Sequence, residues 1–337
     1  MPKLTKKTIF IYLLIVVILY LVIGVIPSVT GALTSTETVK EGTVRVEDDV
    51  RCYVVRDDTV CAAARDSSLS DCTREGTLVR QGTAVIAIAD ASLSKDEKNE
   101  EASVREIAGH LGSTMQSAAD GSSPRRGTFS HYADGAESYF SPSRLDRITE
   151  NGAAEHQWNS VNLQRSKAAA GTPIFKISDT ADWYMVCWVK ESRVAYYEKG
   201  VSVSVRLPHG TISAVVDRVS KEKRRWKVVL HSRQYYRGLT RLRSCDAKLI
   251  ALDERGLVVS NKCLTQRKGR TGVYVRSVTG DYVFTPVQVL GTDGKKTVIA
   301  EGAYVDAHGR SVNTVNMYDE VLRHPKSEKS AGGSDDH

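Results

Sequence analysis

YVVRDDTVCAAARDSSLSDCTREGTLVRQGTAVIAI, residues 53–88, decides the reading of this chain. Its apolar residues come in short runs: Tyr53 to Val55, Val60 to Ala62, Leu78 with Val79, and Val85, Ile86 and Ile88. Arg-Asp-Asp, Ser-Ser and Glu-Gly separate them, so the segment reads as short strands and turns. Gly76 and Gly82 predict two tight turns around a brief strand, because glycine alone takes positive φ without steric cost. The expected unit is half of a small, flattened β-sandwich.

Upstream lies IFIYLLIVVILYLVIGVI, residues 9–26, without a charge. At 1.5 Å per residue a helix of that length covers roughly 27 Å, close to the bilayer core of about 30 Å. Lys3, Lys6 and Lys7 precede it and Glu37, Glu41 and Glu47 follow, which predicts a cytoplasmic N-terminus. A cleaved signal peptide is the alternative, but its apolar region is usually about 7 to 15 residues. An uncleaved anchor is therefore expected, with the bulk of the chain outside the cytoplasm. Six cysteines show neither C-x-x-C nor zinc-ligand spacing and read as small buried hydrophobes. A bridge among Cys52, Cys61 and Cys72 stays open.

Downstream, residues 95–118 predict a helix with Ser94 as N-cap and Val104, Ile107, Ala108 and Leu111 along one face. DGSSPRRG at 120–127 breaks it, and a second short helix is expected around 143–148. No a/d repeat persists for three heptads between 92 and 171, so a coiled coil is absent and the stretch 93–164 reads as a short, helical and partly disordered insertion. AAAGTPIFKIS, 168–178, supplies a second half-sandwich turning at Gly171. Residues 183–207 give an apolar strand, a helical turn at 191–197, a turn at Gly200 and the alternation of Val201, Val203, Val205 and Leu207. Further strands are expected at 212–219, 226–230 and 239–252, with a last β-region from 255 and a final strand within 311–320.

The chemistry withheld is equally informative. Between Lys40 and Lys95 there is no lysine, so the first half-sandwich has no carrier residue for biotin or lipoate, and no cofactor is expected. Eight histidines are scattered without H-E-x-x-H, and neither G-x-S-x-G nor a P-loop occurs. Asp48-Asp49 and Asp57-Asp58 offer paired carboxylates, but adjacent strand positions face opposite sides, so they read as solvated turn residues rather than a catalytic pair. No enzyme is expected. The net charge of +7 is unevenly spread: residues 32–90 hold seven basic and eleven acidic side chains, residues 183–276 hold 21 and seven. The excess peaks at RVSKEKRRWK, 218–227, making Arg218, Lys221, Lys223, Arg224, Arg225 and Lys227 the candidate partner or membrane-surface contact. Topology argues against nucleic acid there. Anionic headgroups, an acidic docking partner, or a plain solvated hairpin tip remain.

The half-sandwich at 53–88 resembles that of HlyD-type membrane fusion proteins, the periplasmic adaptor subunits of efflux and secretion systems. The order of strand, helical turn, glycine and V-x-V-x-V at 183–207 resembles their β-barrel domain. RGLVVSNKCL, 255–264, is similar to their G-L-V-V-P-x-x-A-L lead into the last domain, with Ser260 in place of Pro and Cys263 in place of Ala. The resemblance implies a mainly β fold: a transmembrane anchor (9–27) after a cytoplasmic tail (1–8), a split lipoyl-like or barrel-sandwich hybrid domain (40–92 and 165–180) around an insertion (93–164), a β-barrel (181–254), a membrane-proximal β-domain (255–322) and a tail (323–337). It implies a single-pass membrane adaptor docking on a transporter subunit, ABC or similar, as a homo-oligomeric ring. The alternative is an envelope scaffold for division, sporulation or wall machinery.

Overall fold

The computed structural model describes residues 35–100, 102–157 and 159–325. The expected tail 1–8, the apolar run at 9–26 and residues 326–337 lie outside the described residues. Among the described residues no helix is long and apolar enough to cross a membrane. The fold is mainly β, and the chain divides into Val46–Ala251 and a second unit made of residues up to Arg45 with those from Leu252 onward.

Within Val46–Ala251 the segment that opens the sequence reading forms the strands Asp58–Ala63, Ser67–Ser70, Leu78–Val79 and Ala87–Asp90. Gly76 (φ 79°) and Gly82 (φ 78°) make the two turns as read. Asp58–Ala63 pairs with Pro173–Ser178, and Ser67–Ser70 with Lys167–Ala168, so the two half-sandwiches interlock strand by strand. The stretch 93–164 is more structured than an insertion requires. Met115–Ala118 lies parallel to Asp58–Ala63, and Gly127–Ser130 lies beside both Leu78–Val79 and Pro173–Ser178. Phe129 from this stretch joins Val85, Ile86, Phe175 and Ile177 in the sandwich core. The predicted helix appears as Lys95–Glu100 and Ala102–Leu111. Its capping box is formed: the Glu97 N–H donates to Ser94 Oγ (3.3 Å) and the Ser94 N–H to Glu97 Oε2 (2.8 Å). Val104, Ile107 and Leu111 are buried, as their spacing predicts.

The barrel follows in the same unit. Trp183–Lys190 pairs with Arg225–Ser232, which pairs with Gly210–Glu222, which pairs with Ser202–Leu207. Closure comes from two long strands: Lys40–Val55 lies against Trp183–Lys190 at Val186↔Tyr53, and Ser244–Ser260 lies against Ser202–Leu207 at Val205↔Leu249. The alternation seen in sequence is the inside–outside alternation of the barrel, with Val203, Val205 and Leu207 buried beside Trp183, Met185 and Cys187.

In the other unit, Thr36–Thr38 pairs with Glu320–Leu322, and the strands Thr265–Arg267, Arg270–Arg276 and Tyr282–Pro286 run as a meander. Val39, Leu257, Val259, Cys263, Val273 and Val321 form its core. The final strand expected within 311–320 is two short ones, Ser311–Asn313 and Glu320–Leu322. All six cysteines are free thiols, and all but the half-buried Cys72 are buried.

Candidate functional site

The basic run 218–227 folds as a hairpin. Gly210–Glu222 and Arg225–Ser232 are its arms, and Lys223, at φ 54°, and Arg224 form its turn. Alternation along a strand then sorts the six candidate residues. Lys223 and Arg224 are exposed at the tip. Arg218 meets Asp146 and Asp217 at 2.7 Å, and Lys221 meets Glu191 at 3.0 Å while standing over the Trp226 ring. Arg225 is bound to the Glu150 carboxylate and the Trp188 carbonyl. Lys227 is 5% exposed, and its Nζ donates to the carbonyls of Leu145 (3.0 Å), Asp146 (3.2 Å) and Ile148 (2.9 Å).

These contacts define a cap on the barrel wall. Residues 134–157 turn through Pro142–Arg144 and the helix Glu150–Glu155, and bury Phe140, Leu145, Ile148 and Ala153 against Tyr53, Val186, Trp188 and Val229. Tyr53 stacks on Phe140 with centroids 5.7 Å apart. Glu222 ties the cap down by accepting from Trp188 Nε1 (2.7 Å) and the Glu150 N–H (3.0 Å). Four of the six basic residues therefore engage the protein itself, and two stand at the tip.

Where the sandwich joins the barrel, six charged side chains are withdrawn from water: Arg56 (0% exposed), Asp58, Asp134, Glu137, Lys176 and Arg243 (8%). The Arg56 guanidinium donates to Asp58 (3.0 Å) and to the carbonyls of Thr240 and Leu242 (2.8 Å each). Arg243 donates to Asp134 (2.8 Å), to Asp58 (3.2 Å) and to the Val54 carbonyl (3.2 Å). Lys176 reaches Glu137 at 3.1 Å, and Glu137 also accepts from the Asp134 N–H at 3.0 Å. Three cations face three carboxylates, which keeps the buried charge balanced. Burial alone would raise Asp58, yet Arg56, Lys176 and Arg243 outweigh it and hold its carboxyl below the usual range. Asp134 is depressed against the same burial, chiefly by Arg243.

Asp58 is thus corrected from solvated turn residue to buried ion, while its neighbour Asp57 is exposed. Asp48 likewise is not simply solvated, because it accepts from Arg193 (2.9 Å) and from the Tyr197 hydroxyl (2.7 Å). A polar pocket of 440 Å³ opens beside Asp57 and Asp58, where Arg125 pairs with Asp57 and Asp179. Among the described residues no three His, Cys, Asp or Glu side chains gather as a metal site.

Residues 183–253 match the family model of the RND-related β-barrel domain. No curated protein matches the chain. Similar solved structures include ZneB from Cupriavidus metallidurans, 13% identical, covering 86% of this chain and 92% of that one at a TM-score of 0.30. MacA from Actinobacillus actinomycetemcomitans is 11% identical over 87% and 100% of the two chains at 0.36. The membrane fusion protein Spr0693 from Streptococcus pneumoniae R6 is 10% identical over 59% and 98% at 0.28. The family-model match falls on the barrel. There the chain is similar to RND-related β-barrel domains, and with its split sandwich it resembles the membrane fusion proteins to which its sequence pointed.

Proposed function

We propose that this chain is a membrane-anchored, extracytoplasmic adaptor that docks on a membrane transporter. The observation that carries the reading is the match of residues 183–253 to an RND-related barrel, downstream of a split sandwich and a charge-free run at 9–26. Each part has a task. The run holds the chain in the bilayer, the sandwich, whose first half has no lysine to carry a cofactor, is architecture, and the barrel presents Lys223 and Arg224 on an exposed turn. A transporter subunit with an acidic external face suits that turn, and a ring of copies would repeat it. The stretch 93–164 adds strands and a cap where a long helical arm would project, so this adaptor works close to its own membrane. The same feature favours a second reading, a non-transport scaffold for envelope machinery.

Purification of the tagged full-length protein in mild detergent, with mass spectrometry of what accompanies it, separates the two. A polytopic transporter or its ATPase in stoichiometric amount, lost in Lys223→Glu/Arg224→Glu, supports the adaptor. Division or wall-synthesis proteins alone would overturn it in favour of the scaffold.

A further inference from the structure

The unit that contains Thr36–Thr38 has a strongly cationic end, remote in sequence from the 218–227 run. Thr36–Thr38 and Arg270–Arg276 are both antiparallel to Glu320–Leu322, one through Glu37↔Val321 and the other through Val275↔Val321. They therefore run in the same direction, and both begin at the same end. The described chain starts there: the Arg323 N–H donates to the Ser35 carbonyl at 2.8 Å. The His324 N–H donates to the Lys262 carbonyl and the Asn261 N–H to the Lys295 carbonyl, each at 2.8 Å. Lys262 and Lys295 are thereby fixed near the point where the chain arrives from residue 34.

The turn before Arg270 reaches further out. Counted from Val275↔Val321 and the Ser35–Arg323 bond, Ser35 lies level with Val273, and the strand runs three residues further, roughly 10 Å, to Arg270 before it turns. Lys268 (φ 48°) and Gly269 (φ 74°) make that turn, and Arg270 follows. Lys262, Lys268, Arg270, Lys295 and Lys296 are all exposed, and no ion pair among the described residues engages them. Among the described residues, Glu37 and Asp293 lie at this end. Glu37 accepts from Arg323 and from the Ser260 N–H, and Asp293 accepts from the N–H groups of Lys295 and Lys296, so each is turned to the protein's own donors.

We propose that this end, through Lys262, Lys268, Arg270, Lys295 and Lys296, lies on the anionic lipid headgroups of the membrane that holds the 9–26 run. The proposal rests on reading that run as an anchor. Residues 27–34 then link the bilayer to Ser35, and fully extended they span at most roughly 29 Å. A turn projecting in the direction from which the chain arrives closes much of that distance. Its cations come within a Debye length, about 8 Å, of a negative surface, where lysine and arginine are attracted. A lipid surface fits better than a protein partner because the five cations spread over three separate turns, suiting a diffuse negative plane.

The test is hydrogen exchange of the full-length protein in nanodiscs of phosphatidylglycerol or of phosphatidylcholine. Residues 262–270 and 293–296 should exchange about tenfold more slowly in the anionic discs, and the difference should vanish at high salt. It should also vanish in Lys268→Glu/Arg270→Glu, with Lys295→Glu/Lys296→Glu as an independent second variant. Equal exchange in the two lipids, with the protein co-eluting with the discs, would overturn this proposal and leave the anchor standing. Failure to co-elute would overturn both. Protection that appears only in native membrane vesicles, not in protein-free anionic discs, would assign the surface to a membrane protein and overturn the lipid reading.

Discussion

Arg243 and Asp134 lie 2.8 Å apart, almost wholly out of water, and join the barrel to the stretch that leads into its cap. Breaking one partner of such a pair strands a buried charge, at a cost of about 3–5 kcal/mol. Arg243→Ala should therefore shift the urea midpoint of the purified protein far down. Arg243→Ala/Asp134→Ala should lose less than the two single losses added together. Additive losses would show that the pair is not coupled.

The depressed carboxyls fix the pH dependence. Asp58 and Asp134 titrate below their unfolded value of about 3.9, so their stabilisation is present above that value and lost as pH falls through the folded ones. The urea midpoint should be level from pH 8 to 5 and fall below about pH 4. In Arg243→Ala the depression of Asp134 should shrink, because only Lys176 and Arg56 remain to oppose its burial. That variant should lose less stability than the parent as pH falls below about 4.

Lys227 and its neighbours on the hairpin tip should behave as opposites. Lys227→Met leaves the Leu145, Asp146 and Ile148 carbonyls without their donor, costing about 1–3 kcal/mol and speeding amide exchange across 145–155. Lys223→Glu/Arg224→Glu, at an exposed turn, should stay within about 0.5 kcal/mol of the parent. Equal effects would mean that the cap is not held from Lys227.

Gly121 is where the sandwich permits no side chain. At φ 70° its added Cβ would sit 2.0 Å from the Ile86 carbonyl oxygen, whereas a Cβ at Gly76, φ 79°, meets open space. Gly76→Ala should cost only the left-handed backbone penalty of about 1–2 kcal/mol. Gly121→Ala should cost clearly more, read as a larger fall in melting temperature.

Thiol labelling checks the cysteine reading. Cys72 is half-buried while the other five are buried, and burial pushes the Cys61, Cys245 and Cys263 thiols up to about 12. One thiol should react in the native state and six after denaturation without reductant. Fewer than six would reveal a bridge.

The barrel was legible because a closed sheet sorts its strand residues inside and outside, and 201–207 shows that sorting as strict alternation after Gly200. The two glycine turns at 76 and 82 were legible for a similar reason, since positive φ leaves a residue signature. Met115–Ala118 and Gly127–Ser130 were not, because four residues are too few for a period and their pairing partners lie far away in sequence. The ionic cluster was hidden for another reason. Arg56, Asp58, Asp134, Glu137, Lys176 and Arg243 are scattered along the chain, and each alone looks solvated. The alternation rule did separate Asp57 from Asp58, but only the fold shows which of the two turns inward. Lys227 read as surface because charge density in a sequence does not reveal which lysines the protein uses on itself.

The most direct test of the adaptor reading is photo-cross-linking in living cells from an unnatural amino acid at Arg224. The account predicts one dominant adduct, to a polytopic transporter or the subunit that powers it, made only by protein that fractionates with the membrane. Adducts confined to division or wall-synthesis proteins, or a chain recovered free of the membrane, would contradict it.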